Sequence, residues 1–124
     1  MDWLKEVKSE RAGDRYFMGK HPSGLDVFIY PKERNHSTYA VFGTKYGSID
    51  NCFRVGTDSE PHRVPAGIAH YLEHKLFESE DGDAFERYAK TGASANAYTS
   101  FDMTCYLFSC TDHVYESLEI LLDF

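Results

Sequence analysis

Apolar positions follow two rhythms along this chain. Helical spacing governs the first group of stretches. Within residues 65–77, Ile68, Ala69, Leu72 and Leu76 gather on one side of a 3.6-residue wheel, which predicts an amphipathic helix. Pro65 and Gly67 stand at its start, where the missing proline N–H would be unbonded in any case. A second helix is predicted from Ala84, Phe85, Tyr88 and Ala89, ending at Gly92 as a left-handed C-cap. Val114, Leu118, Leu121 and Leu122 fall at i, i+4, i+7 and i+8 and predict a third, starting at Thr111 or Asp112 and still apolar at Phe124. Trp3, Leu4 and Val7 fit the same spacing and predict a short helix over residues 3–11.

The second rhythm is that of strands. Residues 25–30 are branched or aromatic and end at Pro31, and residues 38–46 form a second such run after a polar turn; the two are expected to pair antiparallel. In the second run Tyr39, Val41 and Gly43 face one way and Ala40 and Phe42 the other, as for a strand covered on both sides. Residues 47–64 carry Gly56, Pro61 and several acids and read as a surface loop. Residues 93–99 and 103–109 predict a hairpin through Ser100, Phe101 and Asp102, with Tyr106 and Phe108 on one face and Cys105 and Leu107 on the other. The order of elements predicts an α+β fold, a mostly antiparallel sheet with helices packed on one face.

Composition narrows the class. With 124 residues and 42% hydrophobic content the chain is one domain at most, too apolar for disorder. A net charge of −7 disfavours phosphate backbones and anionic lipid, so neither nucleic acid nor a membrane surface is an expected partner. Cys52, Cys105 and Cys110 are too few and odd in number for a disulfide framework, and five residues put Cys105 and Cys110 on opposite strand faces, as plain thiols. The N-terminus shows no signal or transit character, and no stretch approaches a membrane span, so a cytoplasmic location is expected.

The chemistry lies on the first helix. Residues advance by about 100° each, so His70 and His74 stand roughly 40° apart, with Glu73 about 60° to the other side of His70. Two imidazoles at i and i+4 suit Zn²⁺, and Glu73 is placed to act as general base towards a water acidified by the metal. The order is H-x-x-E-H, the inverzincin arrangement. The plainer alternative makes the histidines solvated and Glu73 a surface charge paired with Lys75 or Arg87. His21, in a Gly/Pro-rich turn, and His62, eight residues before His70, are expected to be spectators. The acidic run from Glu78 to Asp83 is read as a solvated turn in which Asp81 or Asp83 caps the second helix, in preference to a cation site.

The run Gly67-Ile68-Ala69-His70-Tyr71-Leu72-Glu73-His74-Lys75-Leu76-Phe77 resembles the zinc helix of the pitrilysin/insulinase metallopeptidases. Gly92-Ala93-Ser94-Ala95-Asn96-Ala97-Tyr98-Thr99-Ser100, followed by Thr104 and Tyr106, resembles the strand after it, and Tyr46-Gly47-Ser48 the close of the strand before. The likeness runs from about Gly24 onward and is nearest to the bacterial processing-peptidase-like branch. It implies that residues 24–124 are the N-terminal portion of a metallopeptidase domain and residues 1–23 an extension. It further implies that His70 and His74 ligate Zn²⁺ and that Glu73 is the catalytic base. Ala95, Asn96 and Ala97 become an edge strand that binds an extended peptide or small protein by β-augmentation. Asn96 then grips substrate backbone; without the resemblance it would merely hold a bulge or turn.

In that family the third zinc ligand is a glutamate roughly 75 residues past the second histidine, a position beyond Phe124. The chain therefore reads as the N-terminal fragment of a zinc endopeptidase, weakly active or inactive alone, whose partner is the remaining half of the peptidase or a homologous subunit. Glu116 or Glu119, 42 and 45 residues past His74, is the substitute ligand this chain itself offers. The alternative function is a catalytically silent peptide-binding or assembly module, against which the intact motif argues.

Overall fold

Strand β1 (Leu4–Ser9) occupies the segment where helical spacing predicted a helix. Leu4 and Val7 lie three apart, a spacing a strand also tolerates, and pairing decided the outcome. Strand β2 (Asp14–Lys20) matches β1 residue for residue from Leu4↔Gly19 to Ser9↔Asp14, joined by a turn closed by Gly13 N–H to the Ser9 carbonyl at 2.8 Å. Six paired positions outweigh the weak propensity of a short isolated helix. Strand β3 (Asp26–Ile29) adds to β2, completing a three-stranded antiparallel sheet in the order β1-β2-β3. The computed structural model describes residues 1–79 and 82–123 and divides into two compact units, residues 1–35 and 36–124. This first sheet constitutes the former, with Trp3 edge-on to His21 and Tyr16 stacked on Tyr30.

The second unit begins with β4 (Thr38–Thr44) and continues through the short pair β5 (Cys52–Phe53) and β6 (His62–Arg63) into helix α1 (Ile68–Phe77). Another short pair, β7 (Glu78–Ser79) and β8 (Gly82–Asp83), leads to helix α2 (Ala84–Thr91). The chain then runs through β9 (Ser94–Thr99) and β10 (Thr104–Cys110) to helix α3 (Val114–Asp123). The main sheet has the order β4-β10-β9, antiparallel throughout. Thus β4 pairs with β10, not with β3 as expected; seven partners from Thr38↔Cys110 to Thr44↔Thr104 join segments that local pattern could not connect.

All three helices cover one face of this sheet, as predicted. Phe77 of α1, Tyr88 of α2 and Leu121 of α3 meet Tyr106 and Phe108 of β10 in one core, and Phe108 is wholly buried with its ring 5.9 Å from that of Tyr88. Burial on that scale stabilises by about 1.5–3 kcal/mol per large side chain. On the other face Tyr39 and Val41 are exposed, so β4 is not the doubly covered strand its imperfect alternation suggested. Cys105 is nevertheless buried there and Cys110 lies in the core, both as free thiols on opposite faces.

Local chemistry set the element ends. Helix α1 starts at Ile68, three residues later than expected, because Gly67 at φ 90° belongs to the left-handed region and stands outside the helix. Asp83 accepts from the Phe85 N–H at 2.9 Å and caps α2, while Gly92 at φ 72° ends it, both as predicted. The alternative cap Asp81 and the terminal Phe124 lie outside the described residues. Gly47 is required by close approach. A Cβ there would lie 2.4 Å from the Phe101 carbonyl, and the next two N–H groups, of Ser48 and Ile49, donate to Ser100 and Phe101 at 2.9 and 3.0 Å.

Candidate metal centre

Helix α1 turns Ala69 and Phe77 into the protein and leaves His70 and His74 exposed beside a half-buried Glu73. The imidazole rings stack, with centroids 4.9 Å apart and planes 25° from parallel, and the two Nε2 atoms stand 3.0 Å from each other. Two nitrogen ligands of a tetrahedral Zn²⁺ at the usual bond length are separated by about 3.3 Å. The pair therefore fits a shared ion after a shift of a few tenths of an ångström. One rigid helix supplies both donors.

Glu73 does not lie within that donor set. Its Oε2 accepts a hydrogen bond from the Thr99 hydroxyl of β9. Thr99 in turn lies 3.5 Å from the Thr104 hydroxyl of β10, which donates to the Tyr46 carbonyl at 2.8 Å. The plainer reading of Glu73 as a surface charge fails on geometry, because Lys75 pairs with Glu78 at 2.7 Å and Arg87 with Asp123 at 3.1 Å. The Lys75 ammonium beside it holds the Glu78 carboxyl below its ordinary range. Burial, aided by the nearby Glu73 charge, raises the phenol of Tyr106.

Among the described residues no third His, Cys, Asp or Glu joins the two histidines in a group able to hold a metal. The substitute ligands considered above are therefore not in place. Glu116 instead meets His113 Nδ1 at 3.4 Å, and its carboxyl is lowered by a bond to its own backbone N–H and then by His113. His62 meets Asp58 at 2.8 Å and His21 meets Ser23 at 2.8 Å, in keeping with the spectator role expected of both.

Strand β9 is an edge of the main sheet, and Ala95, Asn96 and Ala97 lie along it. The bond from Ser100 N–H to the Met103 carbonyl, 2.8 Å, sets the alternation of the hairpin. Asn96 and Tyr98 thus share bonded positions with Leu107 and Cys105, and the main-chain groups of Ala95, Ala97 and Thr99 face outward. No bulge interrupts this register, so Asn96 is not a bulge residue; its Oδ1 instead accepts from the outward Ala97 N–H at 2.9 Å. A cavity of about 280 Å³ separates α1 from this edge, lined by Glu73, His74, Phe77, Phe85, Asn96 and Ala97 among others. The histidines, the glutamate and a strand edge unpaired among the described residues are thereby brought to one place.

Sequence reasoning missed the Thr99 hydroxyl as the partner of Glu73. The alternation of β9 places Thr99 on the face of Ala95 and Ala97, towards the helices, which is the one local signal available. The 26-residue separation from Glu73 hid the rest.

Residues 44–124 match the model of the family described as Insulinase (Peptidase family M16). The chain is 52% identical over 121 residues to the uncharacterised zinc protease YmfH of Bacillus subtilis, covering 98% of this chain and 28% of that protein. It is 39% identical over 70 residues to a nardilysin-like protein of Arabidopsis thaliana, covering 52% of this chain and 7% of that one. A solved structure from Alicyclobacillus acidocaldarius, described as an M16-like peptidase, superposes with a TM-score of 0.80 at 42% identity, over 97% of this chain and 26% of that one. The chain thus spans about a quarter of the length of YmfH and of the solved structure.

Proposed function

The chain belongs to the insulinase family of peptidases, M16, and from that premise we propose that it is the zinc-helix portion of a zinc-dependent endopeptidase, with His70 and His74 as ligands and Glu73 as base. The observation that carries the reading is the 3.0 Å convergence of the two Nε2 atoms next to a carboxylate held out of the donor set by Thr99. Zinc, when bound, supplies Lewis acidity and an acidified water. Glu73 has one oxygen fixed and the other left for proton transfer. It takes a proton from the attacking water as the carbonyl carbon gains its new C–O bond, and delivers a proton to the amine nitrogen as the C–N bond breaks.

The peptide substrate lies extended along β9, adding its main chain to the outward groups of Ala95 and Ala97, with Asn96 at the same edge. For that addition Ala97 N–H exchanges the Asn96 side-chain Oδ1 for a substrate carbonyl. Two imidazoles hold zinc weakly, so the third ligand comes from residues other than those described here, in the rest of the peptidase or a homologous subunit. Residues 24–124 belong to the peptidase domain in this reading and residues 1–23 extend it. Among the described residues no helix is long and apolar enough to cross a membrane, and a cytoplasmic location is part of the same proposal.

The free β9 edge also favours a second reading, a peptide-binding module without turnover. Zinc content of the full-length protein separates the two. One tightly held zinc per chain, lost in His74→Ala, together with cleavage of an unstructured peptide, is the expected result. Zinc retained in full by His74→Ala refutes the ligand assignment, and zinc binding without cleavage selects the silent module.

A further inference from the structure

We propose that Thr99 is a positioning residue for Glu73, fixing the carboxylate that acts as base; the inference rests on the peptidase reading of the same site. The argument is one of hydroxyl protons. A threonine has one to donate. That of Thr104 goes to the Tyr46 carbonyl at 2.8 Å, a far better partner than Thr99 at 3.5 Å. Thr104 is thus engaged elsewhere, and the Thr99 proton goes to the carboxylate Oε2 of Glu73, a charged acceptor.

The anchor of Glu73 reaches into the sheet. Thr104 is buried at 2% exposure, sits on the central strand, and is tied to the carbonyl just ahead of Gly47. Thr99 pairs with Thr104 across the hairpin. The side chain of Glu73 has three rotatable bonds, and a carboxylate left free in solvent would sample many orientations. Held at Oε2, it stays at the cavity that Glu73 and His74 both line. Proton transfer depends steeply on such placement.

Three measurements on the full-length protein test the assignment. Thr99→Val keeps the shape and removes the donor, whereas Thr99→Ser keeps the donor. The valine variant is expected to lose about tenfold in kcat with KM and zinc content unchanged, and the serine variant to recover to within about threefold of the parent. A valine variant as fast as the parent, a serine variant as slow as valine, or a loss that follows lost zinc overturns the proposal. The third measurement is independent of turnover. Thr99→Val is expected to lower Tm by about 2–4 °C when Glu73 is present and to leave it unchanged in a Glu73→Ala background. Equal shifts in both backgrounds break the link between the two residues. Absence of peptidase activity in the parent, with the Tm coupling intact, would instead overturn the peptidase reading and leave the contact established.

Discussion

Gly47 and Phe101 approach so closely that a single methyl group on the glycine would lie 2.4 Å from the Phe101 carbonyl. The backbone has no room to yield, because Ser48 and Ile49 are bonded to the same loop. Gly47→Ala is expected to cost roughly 1–3 kcal/mol of stability, measured by urea unfolding. A change within 0.5 kcal/mol, on the order of an ordinary surface substitution, contradicts this account.

In the proposed site, metal retention and chemistry fall to adjacent residues. Glu73→Gln removes the base without touching either imidazole. The full-length variant is expected to keep its zinc and lose about 10²–10⁴-fold in kcat. Loss of the metal in this variant, by elemental analysis, would mean that Glu73 is a ligand.

The outward N–H of Ala97 makes no ladder bond to β10. Proline at this edge position is therefore expected to leave the sheet intact while denying the site one main-chain donor. Ala97→Pro is expected to keep its circular dichroism spectrum and to weaken binding of an extended peptide by about tenfold. Unchanged affinity in a folded variant removes β9 as the docking edge.

Tyr88 carries a hydroxyl that is buried without a hydrogen-bond partner among the described residues. Burial pushes its phenol up from 10.0 to about 12. The folded state thus binds this proton more tightly than the unfolded chain. No stability is lost through this group below pH 10, and on the order of 2–3 kcal/mol is lost as pH climbs from there through about 12. Tyr88→Phe is expected to flatten that alkaline loss and to be neutral or stabilising at pH 7, since it removes an unsatisfied polar atom. Unfolding curves at pH 7 and pH 11 provide the check.

The legible parts of this molecule are those in which neighbours in sequence decide the structure. The i, i+4 histidines, the Asp83 cap, the Gly92 terminus and the tight β9–β10 hairpin all follow from short-range geometry, and all were visible in the sequence. Trp3, Leu4 and Val7 misled because a three-residue spacing suits a helix and is no bar to a strand that finds a partner. The pairing of β4 with β10 and the hydroxyl of Thr99 against Glu73 are long-range facts, chosen by tertiary packing among many sterically possible partners. The proposed metal site is half legible for the same reason, since its two donors share one helix and no third joins them among the described residues.

The strand order β4-β10-β9 also sets a timetable for synthesis. Phe42 waits for Tyr106, its partner 64 residues later. At the usual elongation rates of about 5–20 residues per second, that delay is on the order of 3–13 seconds. Throughout it β4 has no neighbour within its sheet, and α1 has emerged with no finished surface to lie on. The nascent chain therefore carries His70, Glu73 and His74 before it carries Thr99, whose hydroxyl donates to Glu73.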